Sequence, residues 1–376
     1  MALTTVSNAG LTKRGFPTAR VASPLIINGD MAVSQRGTSF SPTAGLHTVD
    51  RLQYNIGSSA TADATITQED DAPDNTGFRT SVKITPDATE TPTGSENIAF
   101  TYALEGQDVQ VLKHGETSPA KATLSFWVKS NKTGVYSVQV KEETVTDEAY
   151  ILFEYTISSS DTWEQKILTW TGNAGHAILN NNAMGFRFVF SLLAGADDLV
   201  APTTTWTTGS AYRAGTNQVN FFDSTSNTWY LTGLQLEVGE FNSTTLPAFR
   251  HESYGDNLAR CQRYFVQFGN NQGVADQGNY GLGITNNDDL NCFITIPFPT
   301  TMRVAPTGIT QSGTAADYAV RTTTTDACTG VPTFSDSTTS NIQVQFVNSG
   351  HGFGSAVVVR GMTNADASFI GVSADL

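Results

Sequence analysis

A chain of 376 residues is too long for one ordinary hydrophobic core. With 39% apolar and only 15% charged residues, its composition suits packed sheets with Thr, Ser, Asn and Gly in turns rather than helical bundles. The formal net charge of −14 argues against attraction to nucleic-acid phosphates or an anionic membrane surface, and leaves neutral sugars and protein partners open.

Residues 1–24 read as a separate N-terminal arm, with Lys13, Arg14, Gly15, Phe16 and Pro17 in a non-periodic, Pro- and Gly-broken stretch. A docking peptide that orders on a partner and a frayed terminus are both open readings of it. The opening residues lack the basic start and apolar stretch of a signal peptide, and no apolar run reaches the roughly 20 residues that span a bilayer. Synthesis in the cytoplasm without membrane insertion is therefore expected.

From Leu25 to about Pro247 strand follows strand. Leu124, Phe126 and Val128 alternate with polar neighbours; so do Tyr136, Val138 and Val140, and again Met184, Phe186, Phe188 and Phe190. Strict period two predicts strands with one buried face, and many short strands between Gly and Asn turns predict a β-sandwich or jelly roll. In Thr228–Val238 the apolar phase flips at Thr232-Gly233, which predicts a β-bulge. A helix is expected over Glu252–Phe265, where Tyr254, Leu258, Cys261 and Phe265 form one stripe, with Glu252 and Asp256 at its start and Arg260 and Arg263 near its end. That stripe packs either on its own domains or against copies of itself. Residues 266–376 are strand-like again: Phe293, Ile294 and Ile296, then Ile342, Val344 and Phe346, the run Ala356–Val359, and a last segment Phe369–Leu376 that could close a sheet. Cys261, Cys292 and Cys328 are few and widely spaced, which predicts buried reduced thiols rather than a disulfide frame.

The segments LIINGDMAVSQRGTSF (Leu25–Phe40) with Val49–Leu52, YALEGQDVQVL through KATLSFWVKSNKTGVYSV (Tyr102–Val138), and NTWYLTGLQLEVGEF (Asn227–Phe241) together resemble a domain family recurrent in bacteriophage tail-fibre and virion structural proteins. FRHESYGDNLARCQRYF (Phe249–Phe265), FPTTMRVAPT (Phe298–Thr307) and the terminal FIGVSADL continue the series in order. Met31, Ser34 and Leu52 stand where that family usually carries aromatics. The resemblance implies a galactose-binding-like jelly roll related to carbohydrate-binding modules, then a small C-terminal β-domain, a virion location and frequently a trimer. It also implies a structural calcium near the first and last strands of the jelly roll, where Asp30 and Glu237 lie; no other cofactor is expected.

Catalytic signatures are not expected. His47, His114, His176, His251 and His351 are scattered, without metal-ligand spacing or a nucleophile beside them. The acidic pairs Asp70-Asp71, Glu142-Glu143, Asp197-Asp198 and Asp288-Asp289 read as solvated turns, since strand neighbours point to opposite faces. For sugar contact, Trp206, Tyr212 and Arg213 in the loop-like stretch Ala201–Gln218 are the candidates, unless Trp206 folds back to cap the sandwich. Trp127, Trp163, Trp170 and Trp229 are expected in the core.

The expected fold is all-β: arm 1–24, a jelly-roll sandwich over 25–248, a connector helix within 249–265 and a small β-sandwich over 266–376. The expected function is a non-enzymatic virion subunit of fibre or spike type. It would act as a homotrimer joined through Tyr254, Leu258, Cys261 and Phe265, docked on other virion proteins by the arm, and touching host-surface glycan or a neighbouring protein. A collar, nozzle or capsid-decoration protein without host contact is the runner-up, and a glycan-cleaving enzyme the third reading.

Overall fold

The alternating strands build two stacked antiparallel sheets in the computed structural model, which describes residues 23–41, 47–57, 59–143, 148–209, 211–269, 279–285, 291–321, 325–347, 358–363 and 368–376. One sheet sets Ser39–Phe40, Ala64–Glu69, Ser81–Pro86, Trp229–Val238, Lys121–Ser130 and Glu164–Thr171 side by side. The other sets Thr203–Thr208, Ala149–Ile157, Gly134–Glu142, Met184–Ala194, Asn97–Glu105 and Leu52–Ile56. Strands distant in sequence are neighbours, as where Trp229–Val238 lies between Ser81–Pro86 and Lys121–Ser130. This is a jelly-roll sandwich.

Its core is what the period-two pattern demands. Leu124, Phe126 and Val128 meet Tyr136, Val138, Val140, Phe186, Phe188 and Phe190 between the sheets, all fully buried. Phe126 and Phe190 pack edge to face at 5.2 Å, and Phe100 stacks on Trp229 at 5.9 Å. Trp170 and Trp229 are buried as expected, whereas Trp127 and Trp163 are only half-buried. Trp163 donates Nε1 to Asp71 at 3.1 Å and meets Tyr230 edge-on at 6.1 Å, with Lys129 over both rings.

The phase flip is a bulge. Thr232 pairs with Trp127 but Gln235 with Ser125, so one strand spends three steps where its partner spends two. Gly233 takes φ +62°, and Leu231, Leu234 and Leu236 are thereby all buried.

The C-terminal residues form a second sandwich. A seven-stranded sheet runs Thr325–Ala327, Tyr318–Arg321, Val358–Thr363, Asn279–Thr285, Asn291–Pro297, Asn341–Val347 and Gly330–Ser337. A three-stranded sheet of Phe265–Gly269, Phe369–Ser373 and Thr310–Gln311 faces it across a core that includes Ile294, Ile296, Ile342, Val344, Phe346, Ile370 and Val372. The C-terminal segment Phe369–Ser373 is the central strand of the smaller sheet. Cys261, Cys292 and Cys328 are buried and outside any disulfide, and burial pushes the Cys328 thiol up to about 12 and the Cys261 thiol well above its ordinary value. Of the expected run Ala356–Val359, Ala356 and Val357 lie outside the described residues, as do the arm over 1–22, Asp288, Asp289 and His351.

The connector helix differs from expectation. It covers Tyr254–Cys261, capped by Ser253, whose hydroxyl accepts from the Asp256 amide at 3.2 Å. Tight turns follow at Arg263 and Tyr264, and Phe265 opens the strand that pairs with Ser373. Phe265 has helical spacing in sequence, yet the backbone pairing offered by the terminal strand extends the chain there.

A side chain at Gly233 would face a left-handed backbone and ring atoms of Phe78 and Trp127 at 2.8 Å. Gly233→Ala should cost about 1–3 kcal/mol, read as a lower urea midpoint at unchanged slope. An unchanged midpoint would show that the bulge tolerates a side chain.

Candidate functional site at the junction of the two sandwiches

Charged side chains are sparse in this chain, and many of them converge where the jelly roll meets the C-terminal sandwich. Glu105, at the end of its strand, has a fully buried carboxylate. Arg263 grips both its oxygens, Nε to Oε1 at 2.7 Å and Nη2 to Oε2 at 2.8 Å. Tyr264 donates its hydroxyl at 2.7 Å and Gln107 its amide at 2.6 Å. Burial alone would raise the Glu105 carboxyl; the hydrogen bonds from Arg263 and Tyr264 outweigh it and hold it below the usual range. Arg51, at φ +76° and buried, stacks its guanidinium 3.4 Å from the Tyr264 ring and donates to the Ala103 carbonyl at 2.5 Å.

The loop Asn28–Arg36 threads the same region. Asn28 takes φ +58°, a conformation asparagine tolerates, and bonds Val33 and Asp50 through its side chain. Its amide donates to Asn257 of the helix at 3.0 Å. Gln35 bonds Asp50 through its backbone and its side chain, and reaches the Phe265 carbonyl at 2.7 Å. Arg36 lies 3.5 Å from the centre of the Phe265 ring and ion-pairs with Asp375. Arg303 fixes the chain end: it donates to the carbonyls of Ala374 at 2.7 Å, Asp375 at 2.6 Å and Asn182 at 2.9 Å.

A cavity of about 400 Å³ opens beside this network, walled by Phe40, Phe265 and Phe369 and carrying Arg36, His47 and Asp375. Burial lowers the His47 pKa from 6.5 to about 4, the nearby Asp375 opposing the shift, so the ring is neutral at neutral pH. Burial would raise Asp375, but His47, Arg36 and Arg51 together hold it below its ordinary value. Neighbouring Asp50 is raised by burial to about 6.

The residues nominated from sequence lie elsewhere or do other work. Ala201–Gln218 is not all loop: the Thr-rich Thr203–Thr208 is an edge strand on Ala149–Ile157, as β-branched residues favour. Trp206 caps the sandwich, donating Nε1 to the Thr171 carbonyl at 2.8 Å and packing edge-on against His114 and Phe186. Near it lies a buried cluster in which Glu142 meets the His114 ring nitrogen Nδ1 and accepts from Asn173 at 2.8 Å. Tyr212 bonds Arg187, and Arg213 holds Asp198 at 3.0 Å and the Asp197 carbonyl at 2.6 Å. Trp206, Tyr212 and Arg213 thus serve separate contacts within the chain.

Asp30 accepts from Asn257 at 3.2 Å and Glu237 from Gln235 at 3.0 Å. Among the described residues no group of three or more His, Cys, Asp or Glu side chains could hold a metal ion. The helical stripe is corrected. Cys261 and Phe265 are buried within the chain, and Leu258 packs in the small cluster of Ile27, Val33, Cys261 and Tyr264. Tyr254 alone of the four is exposed, so the stripe turns inward rather than toward another copy.

Neither a protein-family model nor a curated protein matches the sequence. Among solved structures, the chain is similar to the enzymatically active domain of tailspike protein 4 of bacteriophage CBA120, at 14% identity and a TM-score of 0.30, over 57% of this chain and 21% of that one. It is similar to a putative sugar binding protein from Bacteroides thetaiotaomicron at 14% identity and a TM-score of 0.32, over 57% of this chain and 100% of that one. A family 11 carbohydrate-binding module from Clostridium thermocellum is similar at 10% identity and a TM-score of 0.29, over 55% of this chain and 97% of that one. The chain thus spans about a fifth of the tailspike domain's length. At these scores the likeness decides nothing about ligand or activity.

The two shifted groups oppose each other. Between pH 6.5 and about 4 the unfolded chain takes up a proton that folded His47 refuses, so stability falls as pH falls. Between about 6 and 3.8 folded Asp50 keeps a proton that the unfolded chain releases, so stability rises as pH falls. Each displacement is worth roughly 3 kcal/mol. Asp50→Asn should therefore expose the His47 loss on acidification, and His47→Gln should expose the Asp50 gain. Urea unfolding across that range reads both; parallel pH profiles for the two variants would refute the pairing.

Proposed function

We propose that this chain is a non-enzymatic structural subunit of a bacteriophage virion, of fibre or spike type, whose β-sandwiches project from the particle and contact host-surface glycan or a neighbouring protein. The observation that carries the reading is where the tail-fibre-like segments meet. Leu25–Phe40 holds Asn28, Gln35 and Arg36; Tyr102–Val138 holds Glu105; Phe249–Phe265 holds Asn257, Arg263 and Tyr264. Phe298–Thr307 holds Arg303 and the terminal segment Asp375. Asn227–Phe241 joins through the Leu234 amide, which donates to the Gly29 carbonyl at 2.8 Å. Six separated segments resembling one family build one junction, which supports common descent of the whole two-sandwich unit rather than chance likeness of single motifs.

Support for a role without turnover comes from one member of each of three acidic pairs, held by neighbouring side chains. Asp71 is held by Lys129 and Trp163, Glu143 by Lys141 and Arg187, and Asp198 by Arg213 and Asn97.

Self-association as a trimer belongs to this proposal, with its surface moved to the C-terminal sandwich. Leu282 and Ile284 point the same way from their strand and are 60% and 55% exposed, and Ile284 stands opposite the half-buried Phe293. Such an apolar strip on a sheet face gains by being covered, and closed symmetry covers it without making fibres.

Antibodies raised against the purified chain should decorate projections of the encoding phage in electron micrographs, and the chain itself should compete with adsorption. Undecorated particles would overturn the virion reading, and turnover of host polysaccharide would overturn the non-enzymatic one. Light scattering should give three times the 40.2 kDa chain mass, and Ile284→Asp should shift it toward monomer. A trimer indifferent to Ile284→Asp would place the interface on another surface.

A further inference from the structure

We propose that the Thr-rich edge of the jelly roll is closed to strand addition by its own threonine hydroxyls, so that a second copy of this chain cannot pair edge to edge there.

By composition this edge is a hazard. Thr203–Thr208 is the outermost strand of its sheet and pairs only with Ala149–Ile157. Residues 201–211 hold five threonines and no charged side chain. An uncharged run of β-branched residues on a free edge is a ready template for a strand from another molecule, and the usual lysine guard is missing. Pro202 stands before the strand and removes no amide from within it.

The fold supplies a different guard. Thr203 pairs with Leu152 and Thr207 with Tyr150, so four steps of the edge strand face two of its neighbour. The surplus residues leave the ladder, and their backbone groups need other partners. At the centre of the surplus the Thr205 amide donates to Thr203 Oγ1 at 3.1 Å. The Thr205 carbonyl accepts from the hydroxyls of Thr203 at 3.0 Å and Thr207 at 3.2 Å. Short hydroxyl side chains two residues away reach back to the main chain in this way. An incoming strand would have to break these bonds before making its own, which leaves little to gain. The hydroxyls of Thr204 and Thr208 take no part in the arrangement.

The same flank is tied across the two sheets. Trp206 turns inward from the surplus and donates to the Thr171 carbonyl at 2.8 Å, and Lys166 donates to the Thr156 carbonyl at 2.5 Å. Lys166 and Thr171 belong to the edge strand Glu164–Thr171 of the first sheet, and Thr156 to the strand beside Thr203–Thr208. Side chains thus hold main-chain carbonyls of both sheets along this flank.

Two double variants of the full-length chain test the proposal. Thr203→Val with Thr207→Val removes the guarding hydroxyls. Thr204→Val with Thr208→Val makes the same chemical change on the same edge and leaves the guard in place. Each is compared by sedimentation velocity with the unaltered chain at the same concentration, so the outcome does not depend on whether that chain is a trimer. The first variant should form assemblies of at least twice the unaltered mass, growing with concentration. Its Thr205 amide should exchange with deuterium about tenfold faster, read by NMR. The second variant should match the unaltered chain on both counts. Thr203→Ala with Thr207→Ala also removes the hydroxyls and should behave as the first variant, which keeps the test decisive if the valine pair does not fold. Equal assembly by the two valine variants, assembly by neither, or unchanged exchange at Thr205 would overturn the proposal.

Discussion

The buried carboxylate of Glu105 is the constraint on which the rest of the structure depends. A carboxylate removed from water is costly unless donors replace its hydration. Here Gln107 supplies one donor from the jelly roll, while Arg263 supplies two and Tyr264 one from the connector. The proper solvation of Glu105 therefore exists only when the connector is docked. Because Phe265 follows directly and opens a strand of the second sandwich, the same contacts set that sandwich against the first. Tyr264 serves twice, donating to Glu105 and offering its ring to Arg51.

A rigid junction explains how a polar cavity can persist beside it. Asp375 lies two residues beyond the strand Phe369–Ser373, outside the pairing of its sheet. Here Arg303 holds the Ala374 and Asp375 carbonyls, and the Ala374 amide donates to the Tyr264 carbonyl at 2.7 Å. The carboxyl is fixed by its backbone before Arg36 adds its charge. Arg36 in turn is aligned by the Phe265 ring, whose carbonyl is bonded by Gln35. The polar side chains beside the cavity are thus positioned by contacts within the chain.

What could be read from the sequence follows the range of the forces involved. Alternation fixes which face of a strand is buried, so Phe186, Phe188 and Phe190, or Ile342, Val344 and Phe346, were legible locally, and so was the bulge at Gly233. The end of the helix was not, because Tyr254, Leu258, Cys261 and Phe265 keep a helical spacing across a boundary set by pairing with Ser373. The strand through Trp206 was missed because a run of Thr residues reads equally as polar loop or polar edge. The junction was beyond local reading altogether: Arg36 and Asp375 stand 339 residues apart, and Arg263 and Glu105 158 apart. Arg263 and Phe265 read as parts of the helix and His47 as a scattered histidine, Glu105 and Arg36 only as parts of segments resembling a family, and their charge pairing had no local signature.

The same junction also changes how the net charge should be understood. A formal −14 counts every Lys and Arg as if it offset a carboxylate at the surface. Arg51 is buried against Tyr264 with no carboxylate of its own, while Arg36 and Arg263 are turned inward on Asp375 and Glu105. Lys141 is nearly buried between Glu143 and Glu148. Each inward ion pair is neutral as a unit and leaves the excess of carboxylates, −14 formally, to the rest of the molecule, so the outward field is negative. Polyanions are repelled at long range, and what can approach closely is a neutral surface or a partner with cations of its own.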